Sequence, residues 1–109
     1  MALSTTEVLK RICGPANVAS GTATAFTGTT AHRYTIKSIR IVNPTAGAVS
    51  VKIGIGGVTD ALLILPAISL AAGDTYQDDC FFVLEGTETL QTNATATGTT
   101  LTVSGLDQS

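Results

Sequence analysis

Val49-Ser50-Val51-Lys52-Ile53-Gly54-Ile55 alternates apolar residues with small or polar ones. In an extended chain successive side chains point to opposite faces, so Val49, Val51, Ile53 and Ile55 share one face. The pattern predicts a half-buried strand. Just upstream, Arg33–Val42 is equally strand-like, but its parity slips: Tyr34 and Ile36 fall on one face, Ile39 and Ile41 on the other. One residue out of phase near Lys37-Ser38 is what a β-bulge produces.

Working outward, the same period of two recurs at Glu7–Cys13, Thr22–Thr27, Leu62–Leu65, Thr75–Leu84, Thr89–Ala94 and Thr99–Ser104. A break within the long Thr75–Leu84 run is expected at Asp78-Asp79. Turn residues separate the runs: Asn43-Pro44-Thr45-Ala46-Gly47, Gly54-Ile55-Gly56-Gly57, Ala71-Ala72-Gly73-Asp74, Glu85-Gly86-Thr87 and Thr97-Gly98. In such clusters Pro fixes φ and Gly permits positive φ. About eight short strands with turns every ten residues or so predict an all-β fold, an antiparallel β-sandwich of jelly-roll or Ig-like type with little or no helix. The length suits one domain over residues 1–109. Within it, Met1–Ile12 reads either as an N-terminal arm or as the first strand, and Thr5–Ile12 as a short helix is the weaker alternative. The Thr/Ala-rich stretch Thr92–Thr102 reads as a polar surface hairpin, and Asp107-Gln108-Ser109 as a loose end.

Hydrophobic residues make up 44% of the chain and charged residues only 13%. A typical soluble domain is about 25% charged. So few charges oppose self-association weakly, and contact between copies is expected. All six Lys and Arg lie between Lys10 and Lys52, while seven of the eight acids lie from Asp60 onward. Strand pairing can interleave the two sets. Kept apart, they would form a basic and an acidic patch through which copies dock head to tail or around a ring, a trimer for example. The charged residues singled out for partner contact are Lys10, Arg11, Arg33, Lys37, Arg40, Asp78 and Asp79. A net charge of −2 gives no general pull toward nucleic acid. The basic run Arg33, Lys37, Arg40 has only Tyr34 as an aromatic neighbour, where single-strand binding uses stacking platforms. The apolar run Ala61–Ile68 is shorter than the roughly 18 residues a membrane helix needs. The N-terminus lacks a basic region followed by an apolar core, so synthesis in a cytosol is expected.

The residues that carry chemistry are sparse. His32 is the only histidine. It sits in a turn-like stretch with no nucleophile elbow, and an exposed loop histidine is expected instead of a triad member. Asp78 and Asp79 are adjacent, so in a strand they face opposite ways and cannot clasp one site. They read as part of a solvated acidic face. Asp74, Asp78 and Asp79 do not follow the calcium-loop pattern. Cys13 and Cys80 lack metal-ligand spacing and are expected as buried thiols. No catalytic residue, metal or cofactor is predicted. A ligand-binding module, for carbohydrate as an example, is the other function class that fits. It calls for an exposed platform at Tyr34, Tyr76 or Phe81.

Several phrases stand in a telling order. Tyr34-Thr35-Ile36-Lys37-Ser38-Ile39-Arg40-Ile41-Val42-Asn43 leads through a Thr/Ala/Gly turn into Val49–Ile53. Ile68-Ser69-Leu70-Ala71-Ala72-Gly73-Asp74-Thr75 precedes the next long strand. Phe82-Val83-Leu84-Glu85-Gly86-Thr87-Glu88-Thr89-Leu90-Gln91 opens the last hairpin, and Leu101-Thr102-Val103-Ser104-Gly105 closes it. This order resembles the small β-sandwich virion proteins of tailed bacteriophages over residues 33–105. The resemblance implies a non-enzymatic particle component, made in the host cytoplasm and located in the virion. It would decorate or stabilise the capsid or belong to the tail, neck or fibre. Its partners would be other virion proteins and copies of itself, with no nucleic acid and no membrane. The shared motifs encode turns and core faces and carry no functional residue across.

Overall fold

The computed structural model describes residues 7–109. Eight strands follow one another: β1 (Glu7–Val18), β2 (Gly21–Thr27), β3 (Arg33–Val42), β4 (Val49–Ile55), β5 (Leu63–Leu70), β6 (Thr75–Glu85), β7 (Thr89–Ala94) and β8 (Thr99–Gln108). A single 3-10 turn, Asp60–Leu62, precedes β5. The strands form two four-stranded sheets, ordered β1-β8-β3-β6 and β2-β7-β4-β5, with every pairing antiparallel. Strand β1 pairs with β8, β2 with β7, β3 with β6 and β4 with β5. That nesting is a long hairpin, turned between β4 and β5 and then rolled up. It is a jelly roll, which decides the choice left open by the strand count.

The core lies between the sheets. Val49, Val51 and Ile53 are buried as their alternation requires, and Ile55 packs partly against them. Tyr34, Ile36, Ile39 and Ile41 are all buried too. The predicted bulge makes this consistent. Against β8 the register of β3 shifts between Ile36 and Ser38, so the extra residue Lys37 returns the second pair of isoleucines to the inner face; against β6 the count is reversed, with Ile36–Ser38 facing Phe82–Asp79. Strand β6 keeps a strict period of two from Thr75 to Glu85 and does not break at Asp78-Asp79.

Several expected boundaries are corrected. The first strand runs on to Val18, past Gly14-Pro15, and β5 runs on to Leu70, past Pro66. Both strands lie at sheet edges, where a residue without an N–H is tolerated. Glu7–Ile12 is strand, not helix, and belongs to the first strand of the sheet; the rest of the candidate arm, Met1–Thr6, lies outside the described residues. The stretch Thr92–Thr102 is not a surface hairpin throughout, because Thr92, Ala94, Thr99 and Leu101 are buried. Asp107 and Gln108 are not a loose end but the last residues of β8.

The two ends of the sandwich differ. One carries the β1–β2, β3–β4, β5–β6 and β7–β8 connections, and Asn43 is fully buried there. Its Nδ2 donates to the carbonyls of Gly47, Leu70 and Ala71, and its Oδ1 accepts from the N–H and hydroxyl of Thr45. The other end carries the remaining connections, the start of β1 and the end of β8. It holds the charged side chains described next.

Candidate interaction face

Residues paired across neighbouring strands stand on the same face of a sheet. Following the register across β1-β8-β3-β6 therefore maps its outer face row by row. One row is Glu7, Gln108, Arg33 and Glu85. The next is Leu9, Leu106, Thr35 and Val83, and the third is Arg11, Ser104, Ser38 and Asp79. Beyond it Thr102, Arg40 and Gln77 align. The middle row is apolar except for the buried Thr35, with Leu9 and Val83 exposed at its two ends and Leu106 half-buried between them, and rows with charged ends flank it.

Exposure follows that map. Leu9 is 75% exposed, Phe81 69% and Val83 36%, which is unusual for large apolar side chains. Phe81 lies between the apolar row and the Asp79 row, with the ammonium of Lys37 5.8 Å from its ring centre. In the first row the guanidinium of Arg33 meets Glu85 at 2.8 Å and Gln108 donates to Glu7 at 2.9 Å. Arg40 reaches Gln77 at 3.5 Å.

The structure thus gathers five of the seven charged residues singled out above onto one surface: Arg11, Arg33, Lys37, Arg40 and Asp79. Lys10 and Asp78 are on the opposite sides of their strands from Arg11 and Asp79, as adjacency requires; Lys10 pairs there with Asp107, and Asp78 is half-buried. The basic and acidic residues are not held on opposite sides of the molecule. Strand β3, with three cations, lies between β6 and β8 with their acids, so the two sets interleave. The apolar row had no signature in the sequence, since Leu9 and Val83 read there as ordinary strand residues; of the exposed apolar side chains beside it only Phe81 was named, as a candidate ligand platform.

At the charged end, His32, expected as an exposed loop histidine, is half-buried and paired with Asp107. The Asp107 Oδ1 lies 2.8 Å from His32 Nδ1 and its Oδ2 lies 2.9 Å from Lys10 Nζ. The His32 ring stacks on Tyr34 at 5.9 Å, and the Tyr34 hydroxyl accepts from the Thr29 N–H. Hydrogen bonds from His32 and Lys10 hold the Asp107 carboxyl below the usual carboxylate range. His32 also lines an open depression of about 400 Å3 with Arg33, Glu85 and Gln108. A histidine and an acid are two parts of a triad, but among the described residues no hydroxyl or thiol bonds to His32.

Cys13 is buried and Cys80 only half-buried, where both were expected inside. Burial raises both thiols, and Asp78 and Asp79 raise Cys80 further, which disfavours the reactive thiolate. Among the described residues no three His, Cys, Asp or Glu side chains converge as a metal site would require. Of the three aromatic candidates for a ligand platform, Tyr34 is buried, Tyr76 half-buried and Phe81 exposed.

The jelly roll places the chain in a structural class, and comparison with solved structures agrees. A chain of the T13 infectious bursal disease virus particle, described among icosahedral viruses, matches with a TM-score of 0.58 and 11% identity. The match covers 95% of this chain and 31% of that one. A chain of the Gx strain of the same virus gives 0.57 and 11% identity, over 96% of this chain and 32% of that one. A subunit of Bacillus endospore appendages, a family of disulfide-linked pili, gives 0.55 and 20% identity over 95% of this chain and 88% of that one. The chain therefore spans about a third of the viral chains and most of the appendage chain. At such identities the likeness is one of fold. No family model matches the chain, and no curated protein sequence does so.

Proposed function

We propose that this chain is a non-enzymatic structural subunit of a bacteriophage particle. It decorates or stabilises the head, or is built into the tail, neck or fibre, and it uses the outer face of the β1-β8-β3-β6 sheet as its contact surface. The observation that carries this reading is that face. Exposed apolar side chains, Leu9, Phe81 and Val83, set among charged ones have the make-up of a protein contact. The fold is compatible, since chains of similar fold belong to a viral particle and to pili. The sequence phrases of residues 33–105 supply the phage assignment. Many copies on a repeating lattice make a modest contact effective through avidity.

Gold-labelled antibody against the chain tests this on particles from the source culture. Label spread over heads establishes decoration, and label at one point of the tail or neck establishes a tail role. Purified particles without label and without the chain overturn the proposal. The exposed ring of Phe81 is the one observation that favours a carbohydrate-binding module. A glycan array answers that reading: binding abolished by Phe81→Ala would support it.

A further inference from the structure

We infer that copies of this chain join head to tail, the edge of β1 that is unpaired among the described residues in one copy pairing antiparallel with the corresponding edge of β6 in the next. The inference goes beyond the particle reading and does not depend on it.

Two four-stranded sheets have four edges: β1 and β6 in one, β2 and β5 in the other. An unprotected edge offers a row of free N–H and C=O groups to another strand. Strand β5 carries Pro66, and β1 beyond Arg11 is interrupted by register shifts and Pro15. Residues Glu7–Arg11 stay in regular register with β8, and β6 runs through eleven residues without Pro or Gly. Against β3 the register shifts beside Phe81, three steps from Phe82 to Asp79 facing two from Ile36 to Ser38, but the burial of β6 keeps its period of two through that stretch.

The two edges match each other. Leu9 and Phe81 are the most exposed large apolar side chains among the described residues, at 75% and 69%, and both stand on the outer face. Two positions beyond Leu9 is Arg11. Two positions before Phe81 is Asp79. In an antiparallel pair residue numbers run in opposite senses, so one register sets Leu9 against Phe81 and Arg11 against Asp79 at once, on one face. Val8, 47% exposed, then meets Phe82 on the other face. Opposed residues in such a pair stand about 4.5–5.5 Å apart, near enough for apolar contact and an ion pair.

The sense of the strands agrees. Successive antiparallel pairings make β6 run opposite to β1 within the sheet, so a second copy moved sideways presents its β1 antiparallel to β6 of the first. Pairing β6 with β6 would instead gather Asp78, Asp79 and Glu85 from both copies. Because the two edges differ, each added copy leaves one β1 and one β6 free. The assembly grows into a ring or a filament.

Sedimentation velocity on the purified full chain over a concentration series, with electron microscopy of the products, reads the assembly. Arg11→Asp and Asp79→Arg, both at exposed positions, each weaken it at least tenfold. Mixing the two variants in equal amounts restores it, as does combining both changes in one chain. In a Cys80→Ser background, Leu9→Cys with Phe81→Cys gives a disulfide-linked ladder beyond dimer on a non-reducing gel, and neither change alone gives one. Dimers from Leu9→Cys alone, or indifference to Asp79→Arg, would mean that β1 pairs with β1 and would overturn the inference. So would a chain that stays monomeric at millimolar concentration and forms no ladder. Gold label on particles together with that monomeric result would leave the particle reading standing.

Discussion

The two ends of the sandwich hold their connections by opposite means. At one, the buried Asn43 amide ties the β3–β4 turn to the β5–β6 turn with neutral hydrogen bonds. At the other, Asp107 between His32 and Lys10, and the exposed Arg33–Glu85 pair, set charges side by side. A neutral network sealed from water costs little to bury once each member is paired, and much if one partner is removed. Charges near solvent give less and respond to pH and salt. The first end is built for stability, and the second can be tuned by the medium.

That contrast is broken most directly at Asn43. Asn43→Ala leaves the carbonyls of Leu70 and Ala71 without their side-chain donor, and a loss of about 3 kcal/mol or more is expected in urea unfolding. Asn43→Asp keeps the acceptor for Thr45 but removes the donors, so it should cost nearly as much. A loss under 1 kcal/mol from either change would refute the hub.

Asp107 comes next. Asp107→Asn should cost about 1.5–3 kcal/mol at neutral pH, the range for hydrogen bonds to a charged group. The folded pKa of Asp107 is lowered, so between its folded and unfolded values the unfolded chain binds more protons than the native one. Its stabilising contribution is complete above the unfolded value, about 3.9, and is lost as pH falls through the folded value. Thermal unfolding followed from neutral to acid pH should show wild type and Asp107→Asn converging at the acid end. Parallel curves would contradict the assignment.

The smallest effect belongs to Arg33 and Glu85. Both side chains are more than half exposed, so a double-mutant cycle with alanine should give a coupling below about 1 kcal/mol, reduced further by salt. A coupling that survives molar salt would mean this end is less open than its exposure shows.

Much of the fold was legible because its signals are local. Alternation marked the strand cores, Gly and Pro clusters marked the turns, and the parity slip at Lys37-Ser38 located the bulge. The misread boundaries share a cause. Pro15 and Pro66 stop a strand only where the missing N–H is needed, and only the sheet order shows that β1 and β5 lie at edges. Thr92 and Thr99 read as surface because of their type, yet alternation across β7 and β8 turns them inward. The candidate face was half legible. Its charged residues were singled out, but its apolar row draws Leu9 from β1, Leu106 from β8, Thr35 from β3 and Val83 from β6, positions far apart in the chain.

The sequence by itself determined an all-β chain of about eight strands, the inner residues of its central strands and the absence of any strong catalytic motif. These depend on periods of two and on turn residues, which act over a few positions. Tertiary structure alone decided that the sandwich is a jelly roll, that the basic and acidic halves interleave, that Asp107 meets His32 and Lys10, and that Leu9 and Phe81 stand on opposite edges of one sheet. Each of those rests on pairings between residues distant in sequence, and register between distant strands is fixed by the packing of the whole core.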